Sequence, residues 1–476
     1  MNDTGSSRKL VRGLTLTDST SIVICSIIGT GVFLKCAVMA QYLGTPMLVM
    51  AAWLAAGVLS LAGALTYAEL GAMFPEAGGD YVFLRAAYGD APAFLYGWMY
   101  ITAGASGAAA LAAAFATFLA AVAPIGDVWA AQTFHVFGHE LLWRFGMRQI
   151  VAIAAILSCA LFNCAGVAYS GRLQTVFTAT KMLGVVVIVA GVFFFSESVS
   201  WEHLRAPSGS PVWSGTKAFG AAMLAALWAY NGWNFLPMVA GEVKNPGRTI
   251  PRALMIGSLS VLVVYLLANL AYFYSLPFGE VATSNSTAYR DALPVAAKAA
   301  STFIGPFGIK LISILFIVST FGTLHSEILG IPRISYAMAH DGLFFPAFGR
   351  LGKRSRVPVF AIGFKAFLAC VLASSGTFDQ LTTLLIFSLW IFFGLTASSL
   401  FVLRRKQPDT PRPYRALGYP VVPFLFILAA LWLVVNTLLT SPVESVFGLV
   451  IILPGLPLFY YFRRKRRAEE SLLSDK

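Results

Sequence analysis

Two segments of this sequence place small and polar residues in the middle of apolar runs. One is ICSIIGTGVFL at 24–34, centred on Gly29, Thr30 and Gly31; the other is ALWAYNGWNFL at 226–236, centred on Asn231 and Gly232. A helix that breaks inside a bilayer frees N–H and C=O groups that lipid cannot satisfy, so they must face protein or a wet cavity. A half-helix starting at Thr30–Gly31–Val32 points its N–H groups and positive dipole end into the break, which suits a carboxylate. A half-helix ending near Trp228 presents carbonyls and a negative end, which suits an ammonium. The two ends together match the zwitterionic head of an α-amino acid, and glycine lets a ligand approach the backbone closely. The plain alternative is that these glycines only allow tight helix packing.

Other residues carry chemistry singly. Lys181 lies about twelve residues into TVFTATKMLGVVV, ~18 Å from the start of its helix at ~1.5 Å per residue. That is too deep for its amine to snorkel, which leaves a structural salt bridge or a functional role. Its expected partners are carbonyls freed by the break at 29–31 and the hydroxyls of Ser319 and Thr320. Glu69, Glu242 and Glu327 fall near one end of their apolar runs. They read either as surface charges reaching headgroups or as an inner gate pairing with Arg333 or Lys244. Asp18 in LTLTDSTS reads as a helix N-cap. His135 and His139, followed by Glu140, have the i,i+4 spacing of a metal site, but their aromatic neighbours read better as an interfacial helix. The five cysteines lie in apolar stretches and form no CxxC pair. No metal and no cofactor is expected.

The elements that must position these residues are membrane helices. Of 476 residues, 58% are hydrophobic and only 12% charged, about half the ~25% of soluble domains. Soluble enzymes, DNA-binding modules and disordered regulators are improbable on that ground. Runs of ~20 apolar residues are long enough to cross a bilayer. Twelve are expected, roughly at 17–43, 46–74, 91–122, 148–166, 169–195, 216–241, 251–276, 305–339, 357–374, 380–403, 419–440 and 444–462. The long runs lack the two-residue alternation of a barrel, which makes the fold class an all-α integral membrane protein. The polar, basic start MNDTGSSRKLVRG has no cleavable leader pattern.

The net charge of +13 is topogenic rather than a sign of nucleic acid. With the N-terminus inside, 24 Lys and Arg residues fall on the cytoplasmic side, including Arg8, Lys9, Arg463 to Arg467 and Lys476. Seven, among them Arg144 and Arg290, fall outside; Lys35, Lys181 and Lys365 lie within spans. Both termini are therefore expected in the cytoplasm. The breaks fall in the first helix of two successive five-helix sets, at 17–195 and 216–403. An odd period inverts the second set, and 419–462 adds two helices. Matched breaks in inverted halves point to a transporter's binding site.

Span 1 with IIGTGVF resembles the small-Gly signature of the amino acid–polyamine–organocation superfamily. TYAELGAMFPEAGGDYVFLRAAYG, LWAYNGWNFLPMVAGEVKNPGRTIPRA and IPRISYAMAHDGLFFPAF are similar to its L-type amino acid transporter branch. The resemblance implies a single-domain LeuT-like 5+5 inverted repeat plus two helices, working by alternating access in the bacterial inner (plasma) membrane. It places carboxylate contacts at Gly29, Thr30 and Gly31, amine-binding carbonyls at Ile27, Trp228 and Asn231, with Gly232 beside them, and an aromatic gate at Trp228. It also implies that the Lys181 amine stands where sodium-coupled relatives hold a cation. Asn231 stands where many relatives have Gly, and Lys35–Cys36 where a small hydroxyl residue and Pro are common. Animal members carry a Cys between spans 3 and 4 for a partner glycoprotein. The 123–147 loop has none, so no disulfide-linked heavy chain is expected; the partners are the amino acid and lipids.

The leading reading is sodium-independent exchange or facilitated diffusion of small or medium neutral L-amino acids. A proton symporter or a polyamine or cationic amino acid carrier is the alternative. Spans 1, 3, 6 and 8 offer no midplane acid, which favours neutral side chains. A membrane enzyme lacks support, since HExxH, GxSxG and paired intramembrane acids are absent. A channel would not require inverted breaks.

Overall fold

The computed structural model describes residues 10–474, apart from 121, 124, 127, 137–138, 206–214, 287, 290–291, 376–377 and 441. Arg8, Lys9, Arg290 and Lys476 of the charge tally, and the side chains of His135, His139, Glu140 and Arg144, lie outside what it describes.

The first break separates α1 (Leu16–Ile27) from α2 (Gly31–Leu43). Then come α3 (Pro46–Met73), a short α4 (Asp80–Tyr88), α5 (Asp90–Thr102) and α6 (Gly104–Ala120). A hairpin, β1 (Val128–Val136) and β2 (His139–Gly146), leads to α7 (Met147–Cys164) and α8 (Val167–Phe195). The second break separates α9 (Thr216–Ala229) from α10 (Phe235–Met238). The long α11 (Pro246–Ser275) is followed by α12 (Phe278–Ala282), α13 (Val295–Ile304), α14 (Phe307–Gly330) and α15 (Pro332–His340). The chain closes with α16 (Val359–Ser375), α17 (Phe378–Lys406), α18 (Val421–Thr440), α19 (Pro442–Ile452) and α20 (Gly455–Ser474). Among the described residues, eight helical segments are long and apolar enough to cross a membrane.

Local chemistry explains the helix starts. At α1 the Thr15 hydroxyl accepts from the Asp18 N–H, and the Asp18 carboxylate accepts from the Thr15 N–H at 2.9 Å. This capping box satisfies two orphan donors. The N-cap is therefore Thr15; Asp18 is the third helical residue, so the expectation for it is corrected. Thr45 caps α3, with Pro46 at its first position, where a missing N–H costs nothing.

The all-α expectation is corrected by the hairpin. Residues 128–146 form an antiparallel ladder in which His135 faces Glu140 and Val136 faces His139. The metal-site reading of His135 and His139 concerns side chains outside the described residues. Val128, Trp129, Thr133, Phe134, Val136, Trp143 and Phe145 favour strands and outweigh the helical reading here. The Trp143 indole N–H donates to the Ser374 carbonyl at 2.9 Å and ties the hairpin to α16. The 277–304 stretch, read as non-spanning, contains α12 and α13.

Hydrogen bonds sort the helix ends onto two faces. On one, Lys244 N–H bonds Leu14 carbonyl, Arg466 bonds Asp90, and Lys406 bonds Ala87 carbonyl. On the other, Gln41 bonds the Ala282 carbonyl and Ser200 N–H bonds the Tyr274 carbonyl. Inside the bundle α1 packs on α8, α10 and α11, α2 on α9, and α14 on α1, α6 and α8. The two breaks thus lie against each other and against α14.

Candidate substrate site between two broken helices

The first break is built by three residues. Ile28 ends α1, the Gly29 N–H turns back to the Ile27 carbonyl at 2.8 Å, and Thr30 precedes α2. The N–H groups of Thr30, Gly31 and Val32 have no backbone acceptor among the described residues, as at any helix start. In the second break Asn231 N–H bonds the Trp228 carbonyl at 3.3 Å. Gly232 takes φ +131°, and a Cβ there would lie 2.6 Å from the Ser26 carbonyl. Only glycine combines that dihedral with that approach.

Between the breaks lies a cavity of about 80 Å³. Ile27, Gly29, Thr30, Gly31, Trp228 and Asn231 line it, with the small residues Gly107, Ala110 and Ala114 of α6 behind. The structure brings these residues together; Gly232 packs on Ser26 beside the cavity instead of lining it. Asn231 Oδ1 is buried without a hydrogen-bond partner. Trp228 is covered by Lys35, whose Nζ lies 4.6 Å from the ring centroid.

Gly31 has a second constraint. A Cβ on it would fall 2.4 Å from the Ala229 Cβ and 2.7 Å from the Ala229 Cα. Its glycine is required by the crossing of α2 and α9. At Gly29 a Cβ would meet nothing closer than Thr323 Oγ1 at 3.6 Å, so space there is left open.

Tyr265 of α11 joins the two breaks. Its hydroxyl lies 3.0 Å from both the Ile27 and Ala229 carbonyls. The Ile27 carbonyl accepts from the Gly29 N–H and shares the single Tyr265 hydroxyl hydrogen with the Ala229 carbonyl. Among the residues lining the cavity, Asn231 Oδ1 and Glu327 Oε2 are the buried acceptors without a partner. Sequence reasoning missed Tyr265, although a buried Tyr within an apolar run must place its O–H somewhere.

Lys181 is 3% exposed and donates to the Cys25 carbonyl at 2.8 Å, the Ile28 carbonyl at 2.7 Å and Thr323 Oγ1 at 3.0 Å. Ser319 reaches the same break, donating to the Ile28 and Gly29 carbonyls at 3.0 and 3.1 Å. Thr320 does not: its hydroxyl bonds back to Phe316 and Ile317 in its own helix. The expected Thr320 contact is corrected to Thr323. Residues 319 and 323 share a helix face, while 320 is turned away by about a quarter of the circle.

The four gate candidates separate. Glu242 and Arg333, both fully buried, form a fork at 2.9 and 3.1 Å. Glu69 pairs with Arg404 at 2.7 Å and Arg412 at 3.3 Å and accepts from the Ala416 N–H; it meets neither Arg333 nor Lys244. Glu327 lines the cavity itself and makes no ion pair with Arg333. The expectation of no midplane acid in span 8 is therefore overturned. Its depth was misjudged because α14 and α15 together run 34 residues, far longer than a bilayer requires, so counting from the end misplaces Glu327.

Fold and site define an integral membrane protein with a small, mostly apolar cavity between two interrupted helices, carrying a few polar groups. The amino acid permease family profile matches residues 14–457, and the chain belongs to that family. The chain is 32% identical over 451 residues to the serine/threonine exchanger SteT of Bacillus subtilis (strain 168), covering 94% of this chain and 96% of the relative. It is 29% identical to the human cystine/glutamate transporter, over 95% of this chain and 86% of that protein. It is 28% identical to the rat large neutral amino acids transporter small subunit 2, over 96% and 81%. The membership read from the motifs is established, and with it a membrane location in a family of transporters.

Proposed function

We propose that this protein is a sodium-independent exchanger or facilitator of small or medium neutral L-amino acids. The observation that carries the reading is the pair of helix ends across the cavity. The α2 start offers N–H groups to a carboxylate, and the Asn231 acceptor faces the position of an ammonium. Trp228 acts as the aromatic gate on one side. The Glu242–Arg333 fork closes the other.

In this reading twelve helices cross the bilayer as two inverted five-helix sets plus two, and both termini face the cytoplasm of a bacterial cell. The strong Lys and Arg bias to that face supports the orientation. Lys181 stands in for a cation at the α1–α14 corner, so no sodium ion is needed. The chain works as a carrier, not an enzyme, and without a disulfide-linked heavy chain; the 123–147 loop has no cysteine to hold one.

The test is reconstitution into liposomes. Uptake of a labelled neutral amino acid is expected to rise when unlabelled amino acid is loaded inside, and to be unchanged when choline replaces sodium. Uptake that needs a sodium gradient, or that never saturates, removes the proposal.

A further inference from the structure

Glu327 is 9% exposed, and its carboxylate belongs to the cavity wall shared with Gly29, Thr30 and Asn231. Its Oε2 is buried with no hydrogen-bond partner. A carboxylate oxygen left so is costly and calls for a donor. Its charge is a separate matter. Lys365 of α16, 4% exposed, is the cation whose field Glu327 feels, while the Lys365 ammonium directs its hydrogen bond to the Gly104 carbonyl. The cation therefore lies near the carboxylate without bonding it, and Oε2 stays open to a donor.

We propose that Glu327 determines side-chain specificity: it accepts a hydrogen bond from a hydroxyl on the substrate's own side chain. This rests on the reading that the cavity holds an amino acid head. A cationic side chain would bring a second positive charge beside Lys365 into a site with one carboxylate. An apolar side chain would leave Oε2 unpaired. A hydroxyl adds a donor and no charge. Position fits as well. Thr323, four residues earlier on α14, lies against Gly29 at the break, so Glu327 is about 6 Å further along the helix. That reach suits a side chain of one or two carbons beyond the α-carbon.

The experiment uses full-length protein in liposomes preloaded with labelled serine. Exchange is measured against external serine, threonine, alanine, 2-aminobutyrate and lysine. Threonine and 2-aminobutyrate differ by hydroxyl against methylene hydrogen, so their ratio isolates the donor. The wild type is expected to favour threonine over 2-aminobutyrate in kcat/KM by tenfold or more, because a site built to bond a hydroxyl rejects the analogue lacking it. Glu327→Ala is expected to bring that ratio towards one. Should that variant fail to reconstitute, Glu327→Gln, close to isosteric, is expected to lower the ratio several-fold. A wild-type ratio near one, a ratio unchanged in the variants, or preference for lysine would overturn the assignment. If the wild type exchanges no amino acid at all, the functional reading falls first and this one with it; exchange without hydroxyl preference sinks this one alone.

Discussion

The Lys181 ammonium donates to the Ile28 carbonyl at 2.7 Å, joining the middle of α8 to the residue at which the first membrane helix breaks. The carbonyls freed at the break are thereby bonded by an amine from a neighbouring helix. Together with Thr323 and the Cys25 carbonyl, all three ammonium hydrogens have acceptors.

Lys181→Ala removes a charge-assisted donor from the Cys25 and Ile28 carbonyls, at ~1.5–3 kcal/mol for each hydrogen bond lost, and leaves them only the Thr323 and Ser319 hydroxyls. Exchange is expected to fall at least tenfold while the protein still reaches the membrane. Liposome uptake in sodium and in choline medium checks both points. Wild-type uptake that depends on sodium contradicts this role for Lys181.

Two glycines two residues apart should respond differently. At Gly31 any side chain meets Ala229, so Gly31→Val should lower the melting temperature and the yield of monodisperse protein. Gly29→Ala has room to fold, yet its methyl group enters the ligand's approach; a KM raised about tenfold with a near-normal melting temperature is the expected result. Thermal unfolding and uptake on the same preparations decide. Equal loss of stability in both would show that packing alone sets the two glycines.

Breaking the Glu242–Arg333 fork strands a charge in a fully buried place, a loss of ~3–5 kcal/mol. Glu242→Leu alone is expected to unfold well below the wild type. The double variant Glu242→Leu/Arg333→Leu should recover much of that stability, since a buried pair is often replaceable by apolar groups. Recovery of stability without recovery of exchange would mark the fork as a gate rather than a brace.

Trp228 covers the cavity beneath Lys35. Trp228→Ala should reduce exchange more than it reduces stability, and Trp228→Phe should retain part of it by keeping an aromatic face. Removing the cation over the ring with Lys35→Gln is expected to shift KM by a few-fold, in line with ~0.5–2 kcal/mol for such contacts. Unchanged kinetics in Trp228→Ala takes the residue out of the site.

The family and the residues at the breaks could be read from sequence because their signal is local. Glycines and Asn231 interrupt apolar runs, and the interruption is itself the site. What could not be read depends on helix phase and depth. Choosing Thr323 over Thr320 needs the rotation of α14, which a helix with polar residues on several sides does not announce. Glu327 needed its depth, which an overlong helix conceals. The hairpin was missed because its aromatic and apolar residues were read as an interfacial helix, and the same residue types suit a ladder. Tyr265 had no local marker beyond its hydroxyl.

The Leu14–Val243 bridge pairs the strand entering the first broken helix with the strand leaving the second. At the opposite side of the crossing, Gly31 lies against Ala229 with no room for a methyl group. The two half-helix pairs are therefore pinned near both ends of their crossing. Neither can bend alone without shearing one pin. A displacement of either pair is therefore transmitted to the other, and the two ends of the cavity they carry are coupled.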